Sequence, residues 1–571
     1  MTSRDVSGGW TYIDMPQHTP GQPAADAETM EQRITRVKAD QSDLYEFHNI
    51  DLVRPARLKD YYVEELDKLH QLSFEELPDQ EARVDYVLLR NYLRRSIRRL
   101  ELDEKRNEKM APLLPFAAPL VELLEARQKV ELDSLKPRHT ADVMDAATRL
   151  VLKTKEGVES GKIHVDGVTA IRAVSTIEQL QARLAELIDF FKGYHPTFDW
   201  WTAQPYEALN RALADLIPPI KVKLAGQRPG EEDAIVGQPI GRDGLLVDLE
   251  AEMISYTPEE LLKAAEEKFA WCEDKMRSAA ARMGFGDDWH AALEHVKNLG
   301  VEPGEQPAMV KRLVVEGADY VERHGLVTVP PLARRTWRMY MMAAERQKVN
   351  PFFLGGPEII VSYPTAAMAH GDKLMSIRGN NRHFAKATAF HEMIPGHHLA
   401  MFHEARHRAY RALFENPFWV EGWAMYWELV LWDRGDFFDG PEDEVGTLWW
   451  RMHRCARILF SLGYHLGRMS AQDCVELLVA RVGHERRTAE GEVRRSLNGD
   501  YEPLYQAGYY LGALQIYSLR DEVLRKGICA SEREFNDRIL RENEMPIEML
   551  RALFLDVELS KEYKAQWRFL D

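Results

Sequence analysis

Residues 384–407 read FAKATAFHEMIPGHHLAMFHEARH, and the central segment opens like the zinc-hydrolase signature His-Glu-x-x-His. His391 and Glu392 are in place, but Pro395 stands where the second histidine belongs. A catalytic zinc site needs three protein ligands and one open position. On a regular helix, histidines at i and i+4 lie about 40° apart around the axis and about 6 Å along it, so both reach one ion. The next histidines here are His397 and His398. An unbroken helix would return His398 to the face of His391 about 10 Å further along and would point His397 well away. Pro395 forbids that helix, because it lacks an amide hydrogen and its ring collides with the carbonyl of His391. Gly396 tolerates dihedrals that other residues avoid. The pair predicts a kink or bulge that shortens the path from His391 to one of the later histidines, and it leaves open which one.

A third ligand is available downstream. Residues 416–436, NPFWVEGWAMYWELVLWDRGD, read as an aromatic-rich helix on which Glu421 and Glu428, seven apart, share a face. Glu421 can complete a metal site from that second helix. A carboxylate at a helix start, answering the helix dipole, would explain the same residue without a metal.

The remaining sequence is that of a large, mainly helical body. A chain of 571 residues with 45% hydrophobic residues and 13 Trp can bury an extensive core. Lys plus Arg is 74 and Asp plus Glu is 91, so the net charge, 74 minus 91, is -17, which argues against nucleic acid or an anionic membrane as partner. Cys272, Cys455, Cys474 and Cys529 are scattered and read as reduced thiols. The N-terminus lacks a basic segment followed by an apolar run, and no later stretch could span a bilayer, so a cytoplasmic protein is expected.

Apolar stripes at steps of three and four, Leu89, Leu93, Ile97 and Leu100 or Ile177, Leu180, Leu184, Leu187 and Phe191, predict long helices. Further helices are predicted over 257–284, opened by Thr257 and Glu260 in capping-box spacing, and over 444–463. Strand-like runs are few: GLVTVPP at 325–331, EIIVSY at 358–363 and KLMSIRG at 373–379. The last two are expected to pair as a small hairpin or sheet beside the histidine helix. One of them would offer an edge along which an extended substrate lies. The expected layout is a flexible arm over 1–30, a helical N-terminal lobe over 31–330 and a catalytic lobe over 331–571, the two lobes flanking a deep cleft.

Five blocks then carry a resemblance: HEMIPGHH, EGWAMYWE, GYHLGRMSAQD, EPLYQAGYYLGALQI and FNDRILRENEMPIEML, in that order. Their order and spacing resemble the bacterial family known as domain of unknown function 885, strongly over the last 180 or so residues and weakly over 245–269. That family is in turn similar to the α-helical zinc peptidases, among them angiotensin-converting enzyme, thimet oligopeptidase and carboxypeptidase Taq. The resemblance implies one Zn2+ held by His391, Glu421 and either His397 or His398, with His397 favoured. It makes Glu392 the general base toward the water that zinc activates, and Tyr509 and His465 the donors to the developing oxyanion. Arg454, Arg457 and Arg495 become candidates for holding a substrate carboxylate, although helix salt bridges use arginines equally well. One departure is PLYQAGYYLG at 503–512, where the family has Pro-Gly-Gln-Ala ahead of Tyr-x-x-Gly, so contacts of that loop are not carried over.

The expected activity is zinc-dependent hydrolysis of short peptides, of carboxypeptidase or oligopeptidase type. The alternatives are a non-catalytic peptide-binding protein on the same scaffold and a zinc amidase or esterase acting on a non-peptide metabolite. The expected partner is a small peptide or amide, and the sequence leaves the oligomeric state unknown.

Overall fold

The computed structural model describes residues 28–227, 235–347, 352–499 and 501–570. Helices dominate, as the three-and-four spacing predicts. Leu89, Leu93 and Leu100 are buried along Gln80–Met110, and the stripe from Ile177 to Phe191 is buried along Gly167–Phe191. The helix Pro258–Arg282 begins with the expected capping box, in which Thr257 Oγ1 accepts the Glu260 N–H and the Glu260 carboxylate accepts the Thr257 N–H. Of the expected N-terminal arm, residues 1–27 lie outside the described residues, and Thr29 already caps the helix Met30–Phe47.

Two large apolar cores organise these helices. The main one draws on Met30 through Leu100, on Leu245 through Val329, and on the chain from Ala333 to Phe569, so it runs across residue 330. The second gathers Ala117–Gln128, Pro137–Glu159, Gly167–Phe191 and Pro196–Pro219 around Leu120, Val151, Leu180 and Leu213. A third, small core places Ile359 and Val361 against Ala385, Ala389 and Met393 on the back of the first histidine helix, Arg382–Glu392.

The strands differ from expectation. Glu358–Val361 is a strand, but it pairs in parallel with Arg338–Met341, in the register Arg338 to Glu358. Arg338–Met341 reads RMYM, with no β-branched residue and little burial, so nothing in its sequence announced it. Residues 373–379 fall in the helix His370–Gly379; their Lys, Leu and Met are good helix formers and their apolar positions do not alternate. Residues 326–330 are irregular, with Leu326, Val327 and Val329 buried in the main core, because Pro330 and Pro331 cannot donate to a ladder and Pro331 opens a helix instead.

Candidate metal centre

The first histidine helix ends at Glu392, and a second, His397–Glu404, begins after a break of four residues. The link is held tightly. The Gly396 N–H donates to Phe390 O at 3.0 Å, and Trp423 Nε1 donates to Pro395 O at 3.0 Å, which pins the turn to the glutamate helix Pro417–Arg434. A Cβ on Gly396 would lie 1.8 Å from His391 O, so only glycine lets the chain pass so close to the end of the helix it has just left.

This turn brings His397 back beside His391. Their rings are 4.9 Å apart and nearly perpendicular, at 83°. Glu421 Oε2 lies 3.5 Å from His391 Nε2 and 3.2 Å from His397 Nε2. The ligand atoms of His391, His397 and Glu421 all lie within 4.8 Å of one another. Tetrahedral zinc with arms of about 2.0–2.1 Å separates neighbouring ligand atoms by roughly 3.3 Å, between the two observed distances, so this donor set fits zinc. The other nitrogen of His391, Nδ1, faces Glu428 Oε1 at 2.9 Å, which fixes the ring with Nε2 toward Glu421. Tyr505 O–H donates to Glu421 Oε1.

Charges follow the same geometry. Burial works to lower the pKa of His391, but the hydrogen bonds it donates to Glu421 and Glu428 outweigh it and bring the pKa to about 9. Glu421, although burial opposes ionisation, is held well below the usual carboxylate range by His397 and His391. Glu392 moves the other way, raised by burial against the pull of His391, His397 and Arg454.

Glu392 opens onto a cavity of about 240 Å³ that His391, His397, Glu421, Tyr509, Arg454, Arg457 and Arg495 also line. A Cβ on Gly355 would lie 2.2 Å from Glu392 Oε2, so the room for that carboxylate is room a side chain would take. Arg454 and Arg457 lie over the Tyr509 ring at 4.5 and 4.4 Å. Arg457 Nε also donates to Glu492 Oε1 at 2.6 Å, and Arg454 lies 3.5 Å from Glu428.

Two candidate residues are placed elsewhere. His398 is about 100° around the new helix from His397, and its Nδ1 and Nε2 lie 3.1 Å from Gly356 O and 3.0 Å from Ala333 O, so it faces away from the metal ligands. His465 is the last residue of Pro441–His465, about 16 Å along the helix from Arg454 at 1.5 Å per residue. It receives the Ile240 N–H at 3.4 Å, outside the cavity, and cannot serve an oxyanion there. Neither 358–361 nor 373–379 borders the cavity; the segment that does is Phe352–Gly356, whose Leu354 exchanges backbone hydrogen bonds of 3.0 and 2.8 Å with Ile360.

Several residues at the site were given no role from the sequence. Glu428 had a signal, its seven-residue spacing from Glu421. Tyr505 had one too, lying one turn before Tyr509. Glu404, Glu415 and Glu544 also line the cavity, from three separate stretches with no shared spacing.

Residues 45–553 match the model of a family described as "Bacterial protein of unknown function (DUF885)", well beyond the stretch in which the sequence blocks are strongest. No curated protein matches the chain. Two solved structures share the fold. A "putative lipoprotein of unknown function" from Shewanella oneidensis is 16% identical with a TM-score of 0.67, over 93% of this chain and 100% of its own. A "putative lipoprotein" from Colwellia psychrerythraea is 14% identical with a TM-score of 0.57, over 93% of this chain and 99% of its own. Among the described residues, no helix is long and apolar enough to cross a membrane.

Proposed function

This chain belongs to the DUF885 family of bacterial proteins of unknown function, and from the geometry of His391, His397, Glu421 and Glu392 we propose that it is a zinc-dependent hydrolase, a metallopeptidase acting on short peptides. The observation that carries the reading is the convergence of two imidazoles and a carboxylate on one cavity wall, with a second carboxylate, Glu392, free to face the same space. Zinc bound there would supply Lewis acidity and lower the pKa of a water to about 7.

Glu392 is the group that takes a proton from the attacking water and returns it to the leaving amine. Glu421 is occupied by both histidines and by Tyr505, so it holds the site together while Glu392 moves protons. Tyr509 lines the same cavity with its phenol pKa raised by burial, so at neutral pH it is an O–H donor to the carbonyl oxygen as charge builds there. Arg454, Arg457 and Arg495 give the cavity a cationic wall suited to a C-terminal carboxylate, which supports a carboxypeptidase or short-oligopeptide specificity.

The test is metal analysis of the pure protein, followed by a peptide-library digest with and without chelator. One zinc per chain, cleavage lost on chelation and regained with zinc, and a Glu392→Gln variant that keeps zinc but loses cleavage are the expected results. Zinc with turnover only of amides or esters outside the peptide class would make it an amidase or esterase. Neither zinc nor cleavage would leave a peptide-binding protein on the same scaffold.

A further inference from the structure

We propose that the cavity takes a short peptide with both ends free, the α-ammonium held by Glu404, Glu415 and Glu544 and the carboxylate by Arg454 and Arg457. Placing the scissile bond at the metal rests on the hydrolase reading above; the grip on the two ends does not.

The three acids reach the cavity from different elements. Glu404 ends the helix that His397 begins. Glu415 directly precedes Asn416, the N-cap of the glutamate helix, and is exposed. Glu544 follows Asn543, whose side-chain amide donates to the carbonyls of Glu404, His407 and Arg408 at 3.1, 2.7 and 3.2 Å. Those bonds tie the loop carrying Glu544 to the end of the second histidine helix.

Glu544 is the informative member. It is only 7% exposed, it borders the cavity, and among the described residues its Oε2 has no hydrogen-bond partner. A buried carboxylate oxygen left without a donor is costly, and side chains of like charge beside it add to the cost. Burial, then Glu404 and Glu415, push its pKa up to about 9, and the charge that acts against them, Lys38, is an exposed side chain. An ammonium group entering from the cavity supplies the missing donors and charge.

The same cavity carries the complement. Arg454 Nε and Arg457 Nη1 are buried without hydrogen-bond partners, and both guanidinium groups are held over Tyr509. One cavity lining thus holds a group of acids, with Glu404 on the helix that His397 begins, and a pair of arginines stacked on Tyr509, together with His391, His397, Glu421 and Glu392. A molecule with an ammonium at one end, a carboxylate at the other and a hydrolysable bond between them is a short peptide. The volume of about 240 Å³ favours two or three residues, being below the roughly 300–1,000 Å³ of pockets for drug-sized ligands. The acids do not form a second metal site of the same kind: among the described residues, the group whose ligand atoms lie within 4.8 Å of one another is His391, His397 and Glu421.

The experiment is calorimetric titration of zinc-loaded, full-length Glu392→Gln protein with dialanine, trialanine, N-acetyl-dialanine and dialanine amide. Each blocked peptide should bind roughly tenfold or more weakly than dialanine, the loss expected when a desolvated charge pair loses one partner. Adding Glu544→Gln, and separately Glu404→Gln, should remove most of the penalty for N-acetylation and leave that for amidation. Equal binding of free and N-acetylated peptides, binding of none of them, or a second divalent ion bound per chain and lost with Glu544→Gln would each overturn the proposal. Binding of the free peptides with no cleavage by the wild-type protein would refute the hydrolase reading and leave this one standing.

Discussion

His391 is shared between two carboxylates, and the two-turn spacing of Glu421 and Glu428 on one helix face is what makes that possible. Glu428→Gln removes the acceptor that orients the ring, so zinc affinity should fall about 10- to 100-fold in competition with a chelating dye, with helix content unchanged. His397→Ala should abolish stoichiometric zinc binding in the same assay, and His398→Ala should retain it, since His398 faces two backbone carbonyls instead. Glu544 gives a prediction about pH. Its folded-state pKa of about 9 lies above the ordinary 4.5, so between those values the folded chain holds a proton the unfolded chain has released, and stability falls as pH rises through that window. Glu544→Gln should therefore raise stability at pH 8 by on the order of a few kcal/mol and leave it unchanged near pH 4, as read from denaturant melts at the two pH values.

At the scale of elements, the site depends on where helices stop and how closely they pass. The turn from Met393 to Gly396 converts two consecutive helices into a pair whose inner ends bring His391 and His397 together at Glu421. Gly396→Ala would force its Cβ into the His391 carbonyl, so it should lower the melting temperature by several degrees and reduce zinc stoichiometry together. The helix Tyr505–Arg525 meets the glutamate helix where a Cβ on Gly422 would lie 2.7 Å from Gly512 C, and this close approach carries Tyr505 and Tyr509 to Glu421 and His391. The histidine pair was legible as a broken and rebuilt motif because Pro395 and Gly396 have local consequences. Which histidine returns was not, because it depends on how far the second helix is rotated when Trp423 holds the turn.

Across the whole molecule, His391, His397 and Glu421 lie on elements of the main core, and the helices of the second core lie outside the site. An ion that binds only the folded state stabilises the part whose unfolding destroys its site. Chelation should accordingly speed hydrogen exchange in Arg382–Glu392 and Pro417–Arg434, and leave Pro137–Glu159 and Pro196–Pro219 unchanged, as read by mass spectrometry. The second core was legible as helices from its apolar stripes, but its separation from the main core was not, since a stripe records that a face is buried and not against what.

Periodicity, capping residues and the Pro-Gly break are properties of neighbours in the chain, and the sequence by itself determined from them the helical class, several helix starts and the interruption after Glu392. The tertiary structure alone decided that His397 faces Glu421, that His465 ends about 16 Å from the arginine wall, and that Arg338–Met341 is the partner strand. It also decided that Glu404, Glu415 and Glu544 line the same cavity as Arg454 and Arg457. The reason is physical: these placements are fixed by contacts between residues tens to hundreds of positions apart, where packing and buried charge, not local propensity, set the geometry.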